Sequence, residues 1–149
     1  MKLALVLVAA SLSCAAQTLP DGPGKDLVEA ICTSCHDLNR VVAKQLTKAD
    51  WQAKVLEMLQ EEPDVTQPER DRIVEYLAKS FPRHVNVNSA AAAEIENVLE
   101  LSTKDADAIV RYREEKGTFH GIDDLKKVPG VDAAKIEAVQ NRLDFAVSQ

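Results

Sequence analysis

Histidine, methionine and cysteine are scarce in this chain of 149 residues, which has three histidines, three cysteines and two methionines, one of them Met1. With so few soft or imidazole ligands, the place where they gather carries most of the chemical information. Long apolar runs are also missing after the first 16 residues, so no later segment reads as a membrane-spanning helix. An excess of positive charge is absent too. The formal net charge is −6, with 8 basic and 12 acidic residues in 17–81 and 9 and 12 in 82–149, which argues against a generic polyanion binder in either half.

The first 16 residues read as a secretory leader. Lys2 precedes an apolar run over residues 3–10, and Cys14-Ala15-Ala16 supplies small residues for cleavage after Ala16. The run is too short to be a permanent membrane span. Ser11-Leu12-Ser13-Cys14 departs from a lipid-attachment box at Ser11, so cleavage is expected rather than anchoring at Cys14. The expectation is an exported, periplasmic or otherwise extracytoplasmic protein of about 133 residues. Only Cys32 and Cys35 then remain, an even pair in an oxidising compartment.

Those two cysteines stand in Cys32-Thr33-Ser34-Cys35-His36, the spacing for covalent attachment of one c-type haem. Each thiol adds across a vinyl group of the porphyrin, and the histidine that follows offers a ring nitrogen to the iron. A thioredoxin-like dithiol would sit beside alternating strands and helices, and residues 25–31 and 38–43 show no such alternation. A tetrahedral zinc site needs four ligands, and after the motif only His84, His120 and carboxylates are left to complete one.

Residues 24–31 place Leu27, Val28 and Ile31 at helical spacing just before the first cysteine. A second helix opens at Thr47 with Asp50 as its capping pair and carries Trp51, Val55, Met58 and Leu59 on one face. A third opens at Thr66-Gln67-Pro68-Glu69, runs through Ile73, Val74 and Leu77, and ends before Pro82. Three short helices bury too little apolar surface to stand alone, so the haem is expected to complete their core. The sixth iron ligand follows by elimination. Met58 is the one methionine after the leader, 22 residues past His36, whereas His84 falls in a linker and His120 in a remote loop. Trp51 admits two places, beside a haem propionate or as a large anchor of the core.

Gly24, the motif from Cys32 to His36, Trp51, Met58 and Tyr76-Leu77 together resemble a small class I cytochrome c domain over about residues 21–81. The closest likeness is to the short monohaem modules paired with periplasmic dehydrogenases. The resemblance implies a low-spin iron ligated by His36 and Met58 that shuttles one electron. Where that family often has glycine after the methionine, this chain has Glu61-Glu62-Pro63.

The remainder reads as four short helices with two tight turns. One is expected from Asn86-Val87-Asn88-Ser89 to Leu99 and one from Ser102 to Gly117. The turn Val128-Pro129-Gly130-Val131 follows Leu125, and a last helix runs from Asp132 to Leu143. Asn86 to Ala90, Ala106, Ile109, Tyr112-Arg113, Gly117-Thr118-Phe119, Asp124-Leu125 and Val128 to Val131 resemble the ComEA-like helix-hairpin-helix family, a periplasmic DNA-receptor module. In such hairpins glycines let a phosphate reach helix N-terminal amides. Here Glu100 and Ser102 replace both glycines of the first hairpin, and Asp132 replaces one in the second, beside Gly130. A carboxylate there would cap the helix and repel a phosphate. Arg111, Arg113, Lys126, Lys127 and Lys135 would be left to form any basic patch.

The expected architecture is all-α: a leader at 1–16, a three-helix cytochrome c domain at 17–81 with one covalent haem, a linker at 82–85, and a four-helix double hairpin domain at 86–149. The expected function is electron transfer with no substrate chemistry. The cofactor-binding residues are Cys32, Cys35, His36 and Met58, the last two on the metal, and the partner is a redox protein, either a dehydrogenase or a terminal acceptor. The runner-up is a haem-bearing DNA-binding protein. A peroxidase-like enzyme would need an open coordination position or a labile Met58.

Overall fold

The computed structural model describes residues 18–35 and 37–147. The leader, Cys14 and His36 lie outside the described residues. Two separate hydrophobic clusters organise the chain, one drawn from residues 19–81 and the other from 85–145.

In the first half, α1 (Lys25–Leu27) passes directly into a π-helical turn, Val28–Cys32, which ends on the first cysteine of the motif. α2 (Leu38–Val42) follows the motif, and Asp37 caps it by accepting from the Asn39 amide at 2.9 Å. This short helix adds to the three expected ones. α3 (Lys48–Met58) begins at Thr47, whose hydroxyl accepts from the Asp50 amide at 3.1 Å. α4 (Gln67–Ser80) begins at Thr66, whose amide donates to the Glu69 carboxylate at 2.9 Å in a capping box. Trp51, Val55 and Leu59 of the α3 segment bury against Ile73, Val74 and Leu77 of α4. Gly24 closes the other side with φ +100°, and a Cβ there would lie 2.8 Å from the Arg72 carbonyl oxygen. Only glycine permits that approach. Tyr76 ties down the chain preceding α1 by donating to the Pro20 carbonyl at 2.6 Å.

The second half holds α5 (Ala92–Leu99), α6 (Thr103–Lys116), α7 (Ile122–Leu125) and α8 (Ala133–Ala138). It departs from the purely helical expectation in one place: β1 (Val85–Asn86) pairs in parallel with β2 (Leu143–Asp144). Residues 86–89 therefore form a strand end and turn rather than the start of α5. Asn86 accepts from the Asn88 amide at 2.9 Å, a local side-chain turn that competes with helix. The last helix likewise stops at Ala138, and Gln140–Arg142 forms a single tighter turn before β2.

The connection between the halves is pinned. Leu46 donates its amide to the Phe81 carbonyl at 3.3 Å, and its own carbonyl accepts from the Arg83 amide at 3.0 Å. Arg83 then pairs with Glu94 of α5 at 2.8 Å. Residues 82 and 83 act as a short parallel bridge rather than as loose chain. No helix among the described residues is long and apolar enough to cross a membrane.

Candidate functional site

A cavity of about 430 Å³ opens between the π-helical turn, α2, α3 and α4, within the size range of cofactor sites. Cys32, Cys35 and Met58 all line it, so the folded chain brings together three of the four residues expected to hold the haem. Its walls include Ile31, Val41, Val55, Leu59, Ile73 and Leu77. Cys32 and Cys35 are free thiols, Cys32 half-buried and Cys35 exposed. Burial pushes the Cys32 thiol above its ordinary pKa, which keeps it in the S–H form. Met58 sits at the end of α3 with 48 % of its surface exposed, while Val55 and Leu59 on either side are buried. Its side chain therefore belongs to the cavity rather than to the packed core. His84 and His120 are exposed, and neither lines the cavity. Among the described residues no cluster of three or more His, Cys, Asp or Glu side chains could hold a metal ion.

The donor set suits haem. Two thiols at the attachment spacing and a thioether, on largely apolar walls, are donors of the kind a c-type haem would take. Trp51 resolves toward one of its two expected places, for it is buried and its indole N–H donates to the Phe81 carbonyl at 3.2 Å. It anchors the interdomain bridge, and its only donor is spent there. Sequence reasoning passed over Arg40, Lys44 and Lys54, all of which line the cavity. Arg40 lies on α2, Lys44 just beyond its end and Lys54 on α3, so no single local pattern marked them.

In the second half the loop between α5 and α6 turns at Glu100, whose φ is +54°, the left-handed region in which a glycine would be at ease. Glu100 pairs with Arg142 at 2.7 Å, and Arg142 also donates to the Val98 carbonyl at 3.1 Å. Ser102 caps α6 by accepting from the Asp105 amide at 3.2 Å. The second loop turns at Gly130 with φ +86°, and Asp132 caps α8 by accepting from the Ala134 amide at 2.9 Å. One N-terminal amide of α6, that of Asp105, and one of α8, that of Ala134, are thus met by the chain's own side-chain oxygens. Four of the five cations expected to form a basic patch are engaged too, while Arg111, like Lys104 and Lys116, is exposed and in no salt bridge among the described residues. Lys126 pairs with Glu137 at 2.6 Å, Lys127 with Asp124 at 2.8 Å and Lys135 with Asp105 at 3.7 Å, while Arg113 donates to the Val87 carbonyl at 2.7 Å.

Residues 82–144 match the helix-hairpin-helix motif family. The second half is a helix-hairpin-helix domain. Among relatives of the chain, ComE operon protein 1 of Bacillus subtilis is 34 % identical over 59 residues, covering 40 % of this chain and 29 % of that protein. An uncharacterized protein of Haemophilus influenzae is 39 % identical over 62 residues, covering 41 % of this chain and 55 % of that protein. An endonuclease/exonuclease/phosphatase family domain-containing protein 1 of Rattus norvegicus is 36 % identical over 70 residues, covering 46 % of this chain and 12 % of that protein. The chain therefore spans between 12 % and 55 % of the length of these relatives. No solved structure matches. The hairpin domain begins within the bridge at Pro82, so the pinned connection described above joins it directly to the cavity-bearing half.

Proposed function

We propose that this protein is an exported one-electron carrier with a single covalent haem, and that its hairpin domain serves as a docking or spacer module. The observation that supports this reading is the convergence of Cys32, Cys35 and Met58 on one apolar cavity of about 430 Å³. Cys32 and Cys35 would hold the haem by adding their S–H bonds across its vinyl groups. His36 and Met58 would ligate its iron. When bound, the haem stores and releases one electron, and a methionine ligand favours its ferrous state. The chain's own part is to exclude water with the walls from α3 and α4 and to leave an edge reachable near exposed Cys35. The chain would exchange that electron with a redox partner protein, either a dehydrogenase that donates it or a terminal acceptor that takes it. Reductive titration of the exported full chain is expected to take up one electron per polypeptide reversibly, and uptake of none would refute the reading.

A second reading, a haem-bearing DNA-binding protein, is favoured by the family match over 82–144. Against it stand the self-capped α6 and α8, the Glu100–Arg142 pair and the ion-paired lysines. On the docking reading, duplex DNA does not retain the protein at about 0.1 M salt, whereas Glu100→Gly with Ser102→Gly and Asp132→Gly gains measurable binding. Salt-dependent retention of the unaltered protein at micromolar concentration would instead establish the DNA-binding function.

A further inference from the structure

We propose that Arg70 is a positioning residue for Met58: its guanidinium braces the connection between α3 and α4 and so keeps the methionine at the cavity. The inference rests on the haem reading above. Met58 is the last residue of α3, and the next amide, that of Leu59, donates to the Val55 carbonyl at 2.9 Å. Beyond that point the chain turns twice before α4. The Glu62 amide donates to the Leu59 carbonyl at 3.2 Å, and the Val65 amide to the Glu62 carbonyl at 3.3 Å. Both bonds lie at the long end of the range for amide and carbonyl, and residues 60–64 are exposed. Two such turns in water hold a segment weakly by themselves.

Arg70, in the first turn of α4, supplies the missing restraint. Its Nε donates to the Val65 carbonyl at 3.0 Å and its Nη2 to the Glu62 carbonyl at 2.9 Å. One planar fork thus ties both turns to a helix that is itself buried against α3, and a charged donor makes each bond stronger than a neutral one would. Leu59, Glu62 and Val65 line the cavity together with Met58, whereas Arg70 does not. The arginine therefore acts through the chain and not by touching the occupant. Met58 depends on such a brace because its side chain, half exposed, is not locked by core packing. Its place at the cavity is set by where the end of α3 and the segment after it are held.

The test is competition for the methionine's position on the iron in the ferric, exported full chain. Added imidazole replaces a methionine ligand in proportion to the fraction of molecules in which Met58 has left the iron, so its apparent affinity measures that fraction. Loss of the near-infrared band of methionine ligation reads the replacement. Arg70→Leu removes the donors and is expected to bind imidazole about tenfold more tightly than the unaltered protein. Arg70→Lys, a point charge that cannot span both carbonyls, should give about a threefold gain. Tyr76→Phe deletes a different bond of α4, the one to the Pro20 carbonyl at 2.6 Å. It should lower the urea midpoint of the same half and leave imidazole affinity unchanged. An Arg70→Leu variant with the imidazole affinity of the unaltered protein, or one that Tyr76→Phe matches, overturns the assignment and makes Arg70 a general stabiliser of the fold. Should Arg70→Leu not fold, Arg70→Lys decides alone, and an unchanged affinity there overturns the assignment equally. Unaltered protein without covalent haem, or with haem but without the near-infrared band, would instead overturn the haem reading or the Met58 ligation, and this inference with it.

Discussion

Exported chain carrying Cys32→Ala with Cys35→Ala is expected to lack covalent haem and to have an unfolded first half beside an intact hairpin domain. The cluster over residues 19–81 counts ten buried apolar residues, and five of them, Trp51, Val55, Leu59, Ile73 and Leu77, line a cavity of about 430 Å³. Without a ligand that cavity leaves apolar wall of α3 and α4 open to water, surface whose burial would favour folding. On the proposed function, binding of the haem would therefore be part of the folding free energy of this half. The hairpin domain has its own cluster of thirteen buried residues, which includes no residue of the first half. Residue-resolved hydrogen exchange checks the prediction. Amides of α3 and α4 should exchange as in an unfolded chain while those of α5 and α6 stay protected, and protection of α3 and α4 without haem would contradict it.

Asn88→Ala is expected to destabilise the hairpin domain by about 3 kcal/mol. The Asn88 amide group donates to the carbonyls of Phe119 at 2.9 Å and Phe145 at 3.1 Å, and its oxygen accepts from the Phe119 amide at 2.8 Å. Three strands of chain meet at this one side chain beside Phe119, which is 1 % exposed and stacks on Tyr112 with ring centres 5.7 Å apart. Removing it leaves three backbone groups without partners, each of which costs about 1–3 kcal/mol when buried and less where water can reach it. Asn88→Asp should not rescue, because a carboxylate keeps the acceptor and loses both donors. Urea unfolding followed by far-ultraviolet circular dichroism should show a lower midpoint at unchanged slope. A midpoint within error of the unaltered protein would remove Asn88 from this role.

These two sites mark how far the sequence could be read. Helix starts at Thr47, Thr66 and Ser102 were legible because a cap and its partner lie within three residues of each other. The apolar faces of α3 and α4 were legible for the same local reason, since a 3.6-residue period shows in any short window. Asn88 was read instead as the opening of a helix, because its partners lie 31 and 57 positions away. The early end of α8 was hidden likewise. Arg142 reaches Glu100 and Val98, 42 and 44 positions back, and Leu143 is drawn into a strand with Val85. At the candidate site, the thiols and methionine stood out by rarity. Arg40, Lys44 and Lys54 did not, because exposed charged residues are common and only the cavity sets these apart. The residues of the second half that differ from a phosphate-binding hairpin were legible as substitutions, and the structure adds what each carboxylate or hydroxyl contacts.

The most direct measurement is the absorption spectrum of the exported full chain, oxidised and reduced, extended to the weak near-infrared band of methionine-ligated ferric haem. Covalent haem showing that band, with the band lost on Met58→Ala, is the predicted result, since Met58 lines the same cavity as Cys32 and Cys35. A polypeptide without covalent haem would contradict the account at its root. A high-spin or bis-histidine spectrum would contradict the ligand assignment and turn attention to catalysis or sensing in place of simple electron transfer.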